Sequence, residues 1–443
     1  MMESLRILIS RHYDFKQTHN TEMWFRSIQS ELSKHFSIHV TWLLYLPEKT
    51  ILDNVPNNEN VEYIQDFRNA IDVVKKLKPD LIISHEFPSL IDLAFFAASK
   101  NSNSFFIRDD SMYINLNVDS SQNSTNMLVQ TSTPFLSQFI GLFTSTPSTS
   151  MSQITEKNHP EFSLIKFILY KFNFLFSTLF FSKLKFVEKW NILSAGVRHL
   201  FSPTNPSFNP KLKPDLNFCN SFIVYNSLIK KNYSPSGLIV VGNPLYDDFF
   251  TKRNQTPNSN FSKKIQVLFA PTEFQQDTSQ KFMDVSLAIT TELSRNKNQF
   301  YLFIKLHPTS HPRKPFEKSI HSVDESVSVF QTGDIGSFVE RSDVLVTFTQ
   351  ITSVFIYPLI LRKPVIFCNF HGEKISEKTK ELVFVCTKPS DLQNTILEAL
   401  KMNHKKYSKI DKYLELSCFK TDGLASKRIV DSIISLIDNT SKN

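Results

Sequence analysis

The sequence predicts an α/β protein of two doubly wound domains, each built on a mainly parallel sheet. Three observations carry this. Short apolar runs such as Leu5–Ser10, Leu81–Ser84, Phe300–Ile304 and Val344–Phe348 read as strands buried on both faces, too short to be helices. Helix-like stretches separate them, and strands alternating with helices at this spacing make parallel sheets. A polar, Asn/Ser-rich stretch from Thr251 to Lys264 interrupts the alternation and serves as the linker. The expected domains are residues 1–250 and 260–443.

Taken in order, Met1 to Ser4 lead straight into the strand Leu5–Ser10, with no apolar core of a secretory signal. Arg11-His12-Tyr13-Asp14 follow without a glycine, which removes the dinucleotide fingerprint and with it a redox enzyme of that type. Helical periodicity from Met23 to His35 precedes a strand at Ile38–Leu46. A helix at Asn69–Leu77 leads to the strand Leu81–Ser84, which ends in His85-Glu86. A further helix (Leu90–Lys100) leads to the strand Ser104–Arg108, which ends in Asp109-Asp110.

Residues 117–152 are rich in Ser, Thr, Asn and Gln and read as a loop excursion, part of an insertion over about 115–190. Phe162–Val187 is crowded with Phe, Leu and Ile, but its longest uncharged run, Phe172 to Ser182, is eleven residues. A bilayer span needs about 20. Lys166, Lys171, Lys183, Lys185 and Lys189 punctuate it, so 162–189 fits either the interface of an anionic membrane or a buried helical hairpin. Beyond it, a strand is expected at Asn220–Asn226, a short helix to Tyr233, and a strand at Leu238–Val241 closed by Gly242-Asn243-Pro244. The second sheet opens with Ile265–Phe269, ending in Ala270-Pro271-Thr272-Glu273.

The second domain is organised around Gln299–Cys368. Its strand Phe300–Ile304 runs into Lys305-Leu306-His307-Pro308, where the proline stops the ladder and leaves Lys305 and His307 at the carboxyl end. Open α/β sheets bind ligands at that end. A second strand, Val344–Phe348, enters the hydroxyl cluster Thr349-Gln350-Ile351-Thr352-Ser353, and a third follows at Pro364–Cys368. The helix start at Thr352-Ser353 suits an anion such as a diphosphate. Taken singly, the histidine could cap a carbonyl and the Thr-Ser pair could be an ordinary N-cap.

Composition narrows the partners. A 41% hydrophobic, 21% charged chain is globular, and a net charge of +8 favours an anionic partner. Without an arginine-rich tract or aromatic-basic repeat, nucleic acid is not expected. Four separated cysteines (Cys219, Cys368, Cys386 and Cys418) with no C-x-x-C read as reduced core thiols, and no zinc spacing exists.

Several blocks stand in a telling order: Val-Gly-Asn-Pro-x-Tyr-Asp at 241–247, Leu-Phe-Ala-Pro-Thr at 268–272, Lys-Leu-His-Pro at 305–308 and Ser-Asp-Val-Leu-Val-Thr…Thr-Ser-Val at 342–354. Lys-Pro-Val-Ile-Phe at 363–367 and Thr-Asp-Gly-x-Ala-Ser-x-Arg-Ile at 421–429 complete the set. Over roughly 238–435 the chain resembles CDP-glycerol glycerophosphotransferases and capsule-polysaccharide transferases, and more distantly UDP-N-acetylglucosamine 2-epimerases. The resemblance implies GT-B architecture: two Rossmann-like domains facing a cleft, with the last helix (423–437) packing back on the first domain.

It further implies a transferase moving a glycosyl or polyol-phosphate group from a nucleotide sugar or CDP-alditol to a glycan or lipid-linked acceptor, with no metal and no cofactor. Lys305, His307, Thr352 and Ser353 would hold donor phosphate. Gly242, Asn243, Pro271, Thr272, Gln350 and Tyr357 would line the nucleotide side. The first domain would hold the acceptor and supply a base. Candidates at its strand ends are His12, Asp14, His85, Glu86, Asp109 and Asp110, with His85, Glu86 and Asp109 preferred. The chain departs from the family pattern where Gln350-Ile351-Thr352-Ser353 replaces Asp-Tyr-Ser-Ser and Tyr357 replaces an acid. The competing readings are an epimerase and an inactive nucleotide-sugar-binding protein. The expected location is cytoplasmic, or peripheral on the inner face of a membrane.

Overall fold

The computed structural model describes residues 3–11, 19–44, 59–84, 89–110, 164–201, 212–230, 232–253, 264–271, 279–307, 313–348, 353–372 and 374–441. The chain forms two compact units, residues 1–245 together with 424–443, and residues 246–423.

The first unit is built on strands β1 (Glu3–Arg11), β2 (Phe36–Leu44), β3 (Glu59–Tyr63), β4 (Leu81–Ser84), β5 (Phe105–Asp110), β6 (Leu216–Cys219) and β7 (Leu238–Val240). Their order is β3-β2-β1-β4-β5-β6-β7, and every pairing is parallel. Connection by helices buries both faces, which is why the central strands are apolar at nearly every position. The helices are α1 (His19–Leu32), α2 (Ala70–Leu77), α3 (Leu90–Ser99), α4 (Leu164–Phe181), α5 (Phe186–Phe201) and α6 (Phe222–Lys230). Asn69 and Ser89 cap α2 and α3 by accepting from the Asp72 and Asp92 amides at 3.0 and 3.3 Å.

Strand alternation divides the core of this unit. Leu8, Ile82 and Phe106 pack under α3 and α4 with Phe95, Phe174 and Leu175. Ile7, Ile9, Ile83, Ile107 and Phe218 face the other way, with Trp24, Phe25 and Ile28 of α1. That second layer is closed by Ile429, Val430 and Ile433 of the helix Ala425–Ser441. Arg428 on the same helix donates from Nε to the Val241 carbonyl at 2.8 Å.

The strand expected over 220–226 is corrected. The strand is Leu216–Cys219, and Phe222–Lys230 is helix α6. Phe222-Ile223-Val224-Tyr225 has strand-like composition, but the Ser221 hydroxyl accepts from the Val224 amide at 3.4 Å and starts a helix. Val224 and Leu228, four apart, then bury one face of it. Strand β3 went unrecognised because Glu59, Asn60 and Glu62 give an edge strand a polar sequence.

The second unit carries β8 (Ile265–Phe269), β9 (Phe300–Lys305), β10 (Ser328–Phe330), β11 (Val344–Thr347), β12 (Val365–Cys368) and β13 (Phe384–Cys386). They form a second all-parallel sheet, ordered β10-β9-β8-β11-β12-β13. Its helices include α7 (Asp247–Arg253), α8 (Ser279–Ser294), α9 (Arg313–His321), α10 (Ile335–Arg341) and α11 (Ile356–Ile360). Pro358 lies within α11, which spans five residues after a 3-10 turn at Ser353–Phe355. The confinement to a short helix follows from the missing proline N–H and the ring's clash with the preceding turn.

Two α/β units with parallel sheets are thus present. The unit boundary lies at 245/246, a few residues before the expected linker, because α7 packs with the second unit through Phe249 and Tyr357, whose ring centroids are 4.9 Å apart.

Candidate active site

Strand order fixes where a ligand can sit in the second unit. The chain runs from β8 outward through β9 to β10, then returns to the other side of β8 with β11. This reversal is the switch point at which open α/β sheets bind ligands, beyond the carboxyl ends of the strands. Three segments reach that edge: Ala270-Pro271 after β8, Leu306-His307 after β9, and Phe348 after β11. The Ala270 amide donates to the Val346 carbonyl at 3.0 Å, and the Leu306 amide to Phe330 at 2.7 Å, so hydrogen bonding continues to the rim.

His307 is exposed at this rim, directly beyond β9. The sequence pattern suggests that its strand and the one before Ser353 are adjacent, but β8 lies between them. Two strand spacings, about 10 Å, therefore separate the ends of β9 and β11. That separation leaves the end of β8, with Pro271 buried, as the floor between the two.

Lys305 takes a different position from an exposed phosphate contact. It is 5% exposed, and its ammonium donates to the carbonyls of Leu306 at 2.8 Å and Gln331 at 3.1 Å. Burial lowers its pKa from 10.5, opposed by the charge of Asp334. The unfolded chain then holds this proton more tightly than the folded one, so stability rises with pH in the window below about 10.5. Lys305→Met should remove part of that alkaline rise, read as urea midpoints between neutral pH and pH 10.5. Lys363 and Lys406, whose pKa values burial also lowers, would retain the remainder.

Tyr357 is buried edge-on against Tyr246 and Phe249, at centroid distances of 5.3 and 4.9 Å. Burial raises its pKa, so its phenol stays protonated. In this position it shapes the wall behind α11. Behind the switch point, Phe348 packs on Phe269 at 5.9 Å and on Phe282 at 5.7 Å, and Phe282 packs on Phe316 at 5.6 Å. These rings buttress the ends of β8 and β11 from the core side.

Gly242 and Asn243 follow β7 in the first unit. Gly242 has φ +91°, a conformation that a side chain rarely adopts, and the Asn243 carbonyl oxygen Oδ1 accepts from the Leu245 amide at 3.0 Å. They form the turn that ends the first sheet. Asp109 is fully buried on β5, paired with Phe218 on the face that carries Ile107. Ser353 begins the 3-10 turn, and Asp110 ends β5, both known by backbone only. His12, Asp14, His85, Glu86, Thr272, Gln350 and Thr352 lie outside the described residues. Of the named phosphate contacts, His307 lies directly beyond β9, and the 3-10 turn that opens at Ser353 follows β11 in the chain. Sequence reasoning passed over Arg108 and Asn217, which are buried polar residues on central strands of the first sheet. The only available signal was a polar residue inside each apolar run.

Two Rossmann-like α/β units with all-parallel sheets, with a transferase family model matching residues from both units, are those of a GT-B-type transferase. Residues 218–435 match the family model described as CDP-Glycerol:Poly(glycerophosphate) glycerophosphotransferase. Among solved structures the chain is similar to a protein assigned as a UDP-N-acetylglucosamine 2-epimerase from Listeria monocytogenes, with TM-score 0.54, 12% identity, and coverage of 98% of this chain and 97% of that one. It is equally similar to the wall teichoic acid polymerase TagF, with TM-score 0.54, 12% identity, and coverage of 99% and 90%. S. aureus MnaA, solved with UDP, gives 0.50 at 13% identity, covering 98% and 97%. At these identities the structural matches speak for the fold. No curated protein matches the chain.

Proposed function

We propose that the protein transfers a polyol-phosphate group from a CDP-linked donor to a hydroxyl of a cell-envelope polymer or its lipid-linked precursor. The observation that carries this is the family match over 218–435, together with His307 exposed at the carboxyl rim of the sheet within that stretch. In the reaction an acceptor oxygen attacks the donor phosphorus attached to the polyol. A new P–O bond forms, the diphosphate bond breaks, and CMP leaves with the electron pair. The acceptor proton passes to a base. Negative charge grows on the leaving phosphate, where His307 and the amides opening the Ser353 turn would stabilise it.

The reading is metal-independent, since fixed donors take the place of a cation. Transfer should persist in excess EDTA, measured as label moved from CDP-glycerol into polymer. Loss of activity that only a divalent ion restores would overturn this point.

Binding is tested by a thermal-shift panel of CDP-glycerol, CDP-ribitol and UDP-N-acetylglucosamine. Stabilisation by a CDP-alditol and not by the UDP-sugar is the expected result. Stabilisation by UDP-N-acetylglucosamine alone, with its conversion to the 2-epimer, would replace the transferase by the epimerase reading.

A membrane-borne acceptor fits the surface of α4 and α5. Among the described residues no helix is long and apolar enough to cross a membrane. The buried side of α4 packs on α2 and α3, where the Thr178 hydroxyl accepts from the Ala70 amide at 3.0 Å. On the other side Phe176, Phe180, Phe181, Phe186, Val187 and Trp190 are exposed beside Lys183 and Lys185. Aromatic rings flanked by lysines suit the interface of an anionic bilayer. A peripheral position on the inner membrane face follows from this reading.

A further inference from the structure

A cleft of about 390 Å³ opens on the second unit, away from the rim that carries His307. Three helices frame it: α12 (Glu377–Leu382), α13 (Leu392–Ala399) and α14 (His404–Cys418). Helix α12 leads through Val383 directly into β13, so it meets the sheet at the amino end of that strand. Helix α13 follows β13 and packs back along it through Leu392, Ile396 and Ala399. Its last turn returns to the amino end, where Glu398 lines the cleft beside Phe384, the first residue of β13. The cleft thus lies at the edge of the sheet opposite the one on which open α/β sheets bind their main ligand.

Lysines from three segments converge there: Lys380 of α12, Lys401 after α13, and Lys405, Lys406 and Lys409 of α14. Two of them are held by acids of the same cleft, Lys380 by Glu377 at 2.6 Å and Lys409 by Glu381 at 2.8 Å. Lys401 and Lys405 are exposed, with no side-chain partner among the described residues. Lys406 is half-buried between them and the sheet. Its ammonium donates to the carbonyls of Val383 at 2.9 Å and Lys380 at 3.3 Å and lies 4.8 Å from the Phe384 ring centroid. Burial and the charge of Lys409 push its pKa down to about 8, against the pull of Glu381. The sequence also sets these charges against the helix that carries them. Helix α14 opens His404-Lys405-Lys406 with no acid in its first turn, at the end where a helix dipole favours anions. Asn403 already caps that end, accepting from the Lys406 amide at 3.2 Å, so a ligand would meet lysine side chains and not the helix end itself. A local rule broken in this way is offset when an anion joins the lysines.

We infer that this cleft docks a phosphodiester chain, the polyol-phosphate polymer, apart from the transfer site. Lys401 and Lys405 hold phosphodiester groups of the chain through charge-assisted hydrogen bonds. Glu377 and Glu398, exposed between the lysines, accept from hydroxyls of the linking polyol. The mixed lining selects the ligand. A compact dianion would meet carboxylates as well as lysines, whereas a chain of single charges spaced by hydroxyl-bearing carbons places each group against its opposite. An open cleft also admits a chain that continues beyond it. A polymer anchored there stays attached while its end reacts elsewhere, which raises the effective concentration of that end. Naming the chain as the transferase's polymer rests on the proposed function. Affinity for a phosphodiester chain does not.

The test is fluorescence anisotropy of a labelled oligomer of phosphodiester-linked glycerol with the full chain, without nucleotide. The oligomer should bind, and CDP-glycerol should not displace it. Lys401→Gln combined with Lys405→Gln should weaken oligomer binding by about tenfold or more and leave CDP-glycerol binding unchanged. Both lysines are exposed, so the melting temperature should stay within about a degree or two of wild type. An oligomer of trimethylene phosphodiesters, which keeps the charges but lacks the hydroxyls, should bind more weakly. In the transfer assay the double variant should make shorter products from the same donor. Absence of oligomer binding by the wild type, or undiminished binding by the double variant, would overturn the docking site. So would lost binding accompanied by a clear fall in melting temperature, which would assign the lysines to the fold. Equal binding of polyglutamate would reduce the cleft to non-specific attraction and overturn its selectivity. Equal binding of the trimethylene oligomer would remove Glu377 and Glu398 from recognition. Oligomer binding by a wild-type chain that neither binds nor uses CDP-glycerol would sink the transferase reading and leave the docking site standing.

Discussion

His307→Ala is expected to reduce polyol-phosphate transfer by about 100- to 1,000-fold, the effect of deleting one fixed donor to a developing oxyanion. The side chain is exposed beyond β9, so its removal opens no cavity and the melting temperature should stay within a degree or two of wild type. The two readouts separate a role in chemistry from a role in folding. A variant that keeps wild-type kcat/KM would remove His307 from the mechanism, and one that loses stability in parallel with activity would make it structural. His307→Gln, which keeps a donor, should recover part of the loss.

The second large effect concerns the rings beneath the site. Phe282 is 1% exposed and touches both Phe316 and Phe348, the latter directly after β11. Phe282→Ala should destabilise the second unit by about 3–5 kcal/mol through lost burial and the cavity left behind. Urea unfolding should show a lowered midpoint, and donor affinity should fall as the end of β11 loses its support. Phe282→Leu, which refills most of the space, should restore the larger part of both. A loss under 1 kcal/mol would mean that the layer repacks freely and that the rim does not depend on it.

The layout of the sheets was largely legible because strands buried on both faces have a composition that loops and amphipathic helices lack. Leu81-Ile82-Ile83-Ser84 and Phe300–Lys305 are strands within a residue of their expected limits. The helix α6 was misread because Phe222–Tyr225 is β-branched and aromatic, and the decisive cap on Ser221 is a single hydrogen bond. The edge strands β3 and β10 lack the two-sided burial that marks the others.

At the site, His307 was recognisable from the proline that stops its strand. The insertion of β8 between β9 and β11 was not, because strand order is a tertiary property that no local pattern encodes. Lys305 shows the converse. Its position at the strand end was legible, but its length lets it curl onto two carbonyls, a choice that depends on β10 lying alongside.

The return of Ala425–Ser441 to the first unit has a consequence for biosynthesis. Ile429, Val430 and Ile433 seal a layer whose other members, from Leu5 to Phe218, leave the ribosome well over a hundred residues earlier. At about 5–20 residues per second, the nascent first unit waits on the order of ten seconds or more with that face open, while residues 246–423 emerge and can complete their own sheet. The half made first is therefore the half finished last. During that interval Trp24, Phe25 and Ile28 offer an apolar surface that a holding chaperone could occupy and that the arriving helix must displace. A nascent chain stalled after residue 423 should accordingly be captured by such chaperones, whereas one carrying the last helix clear of the exit tunnel should not.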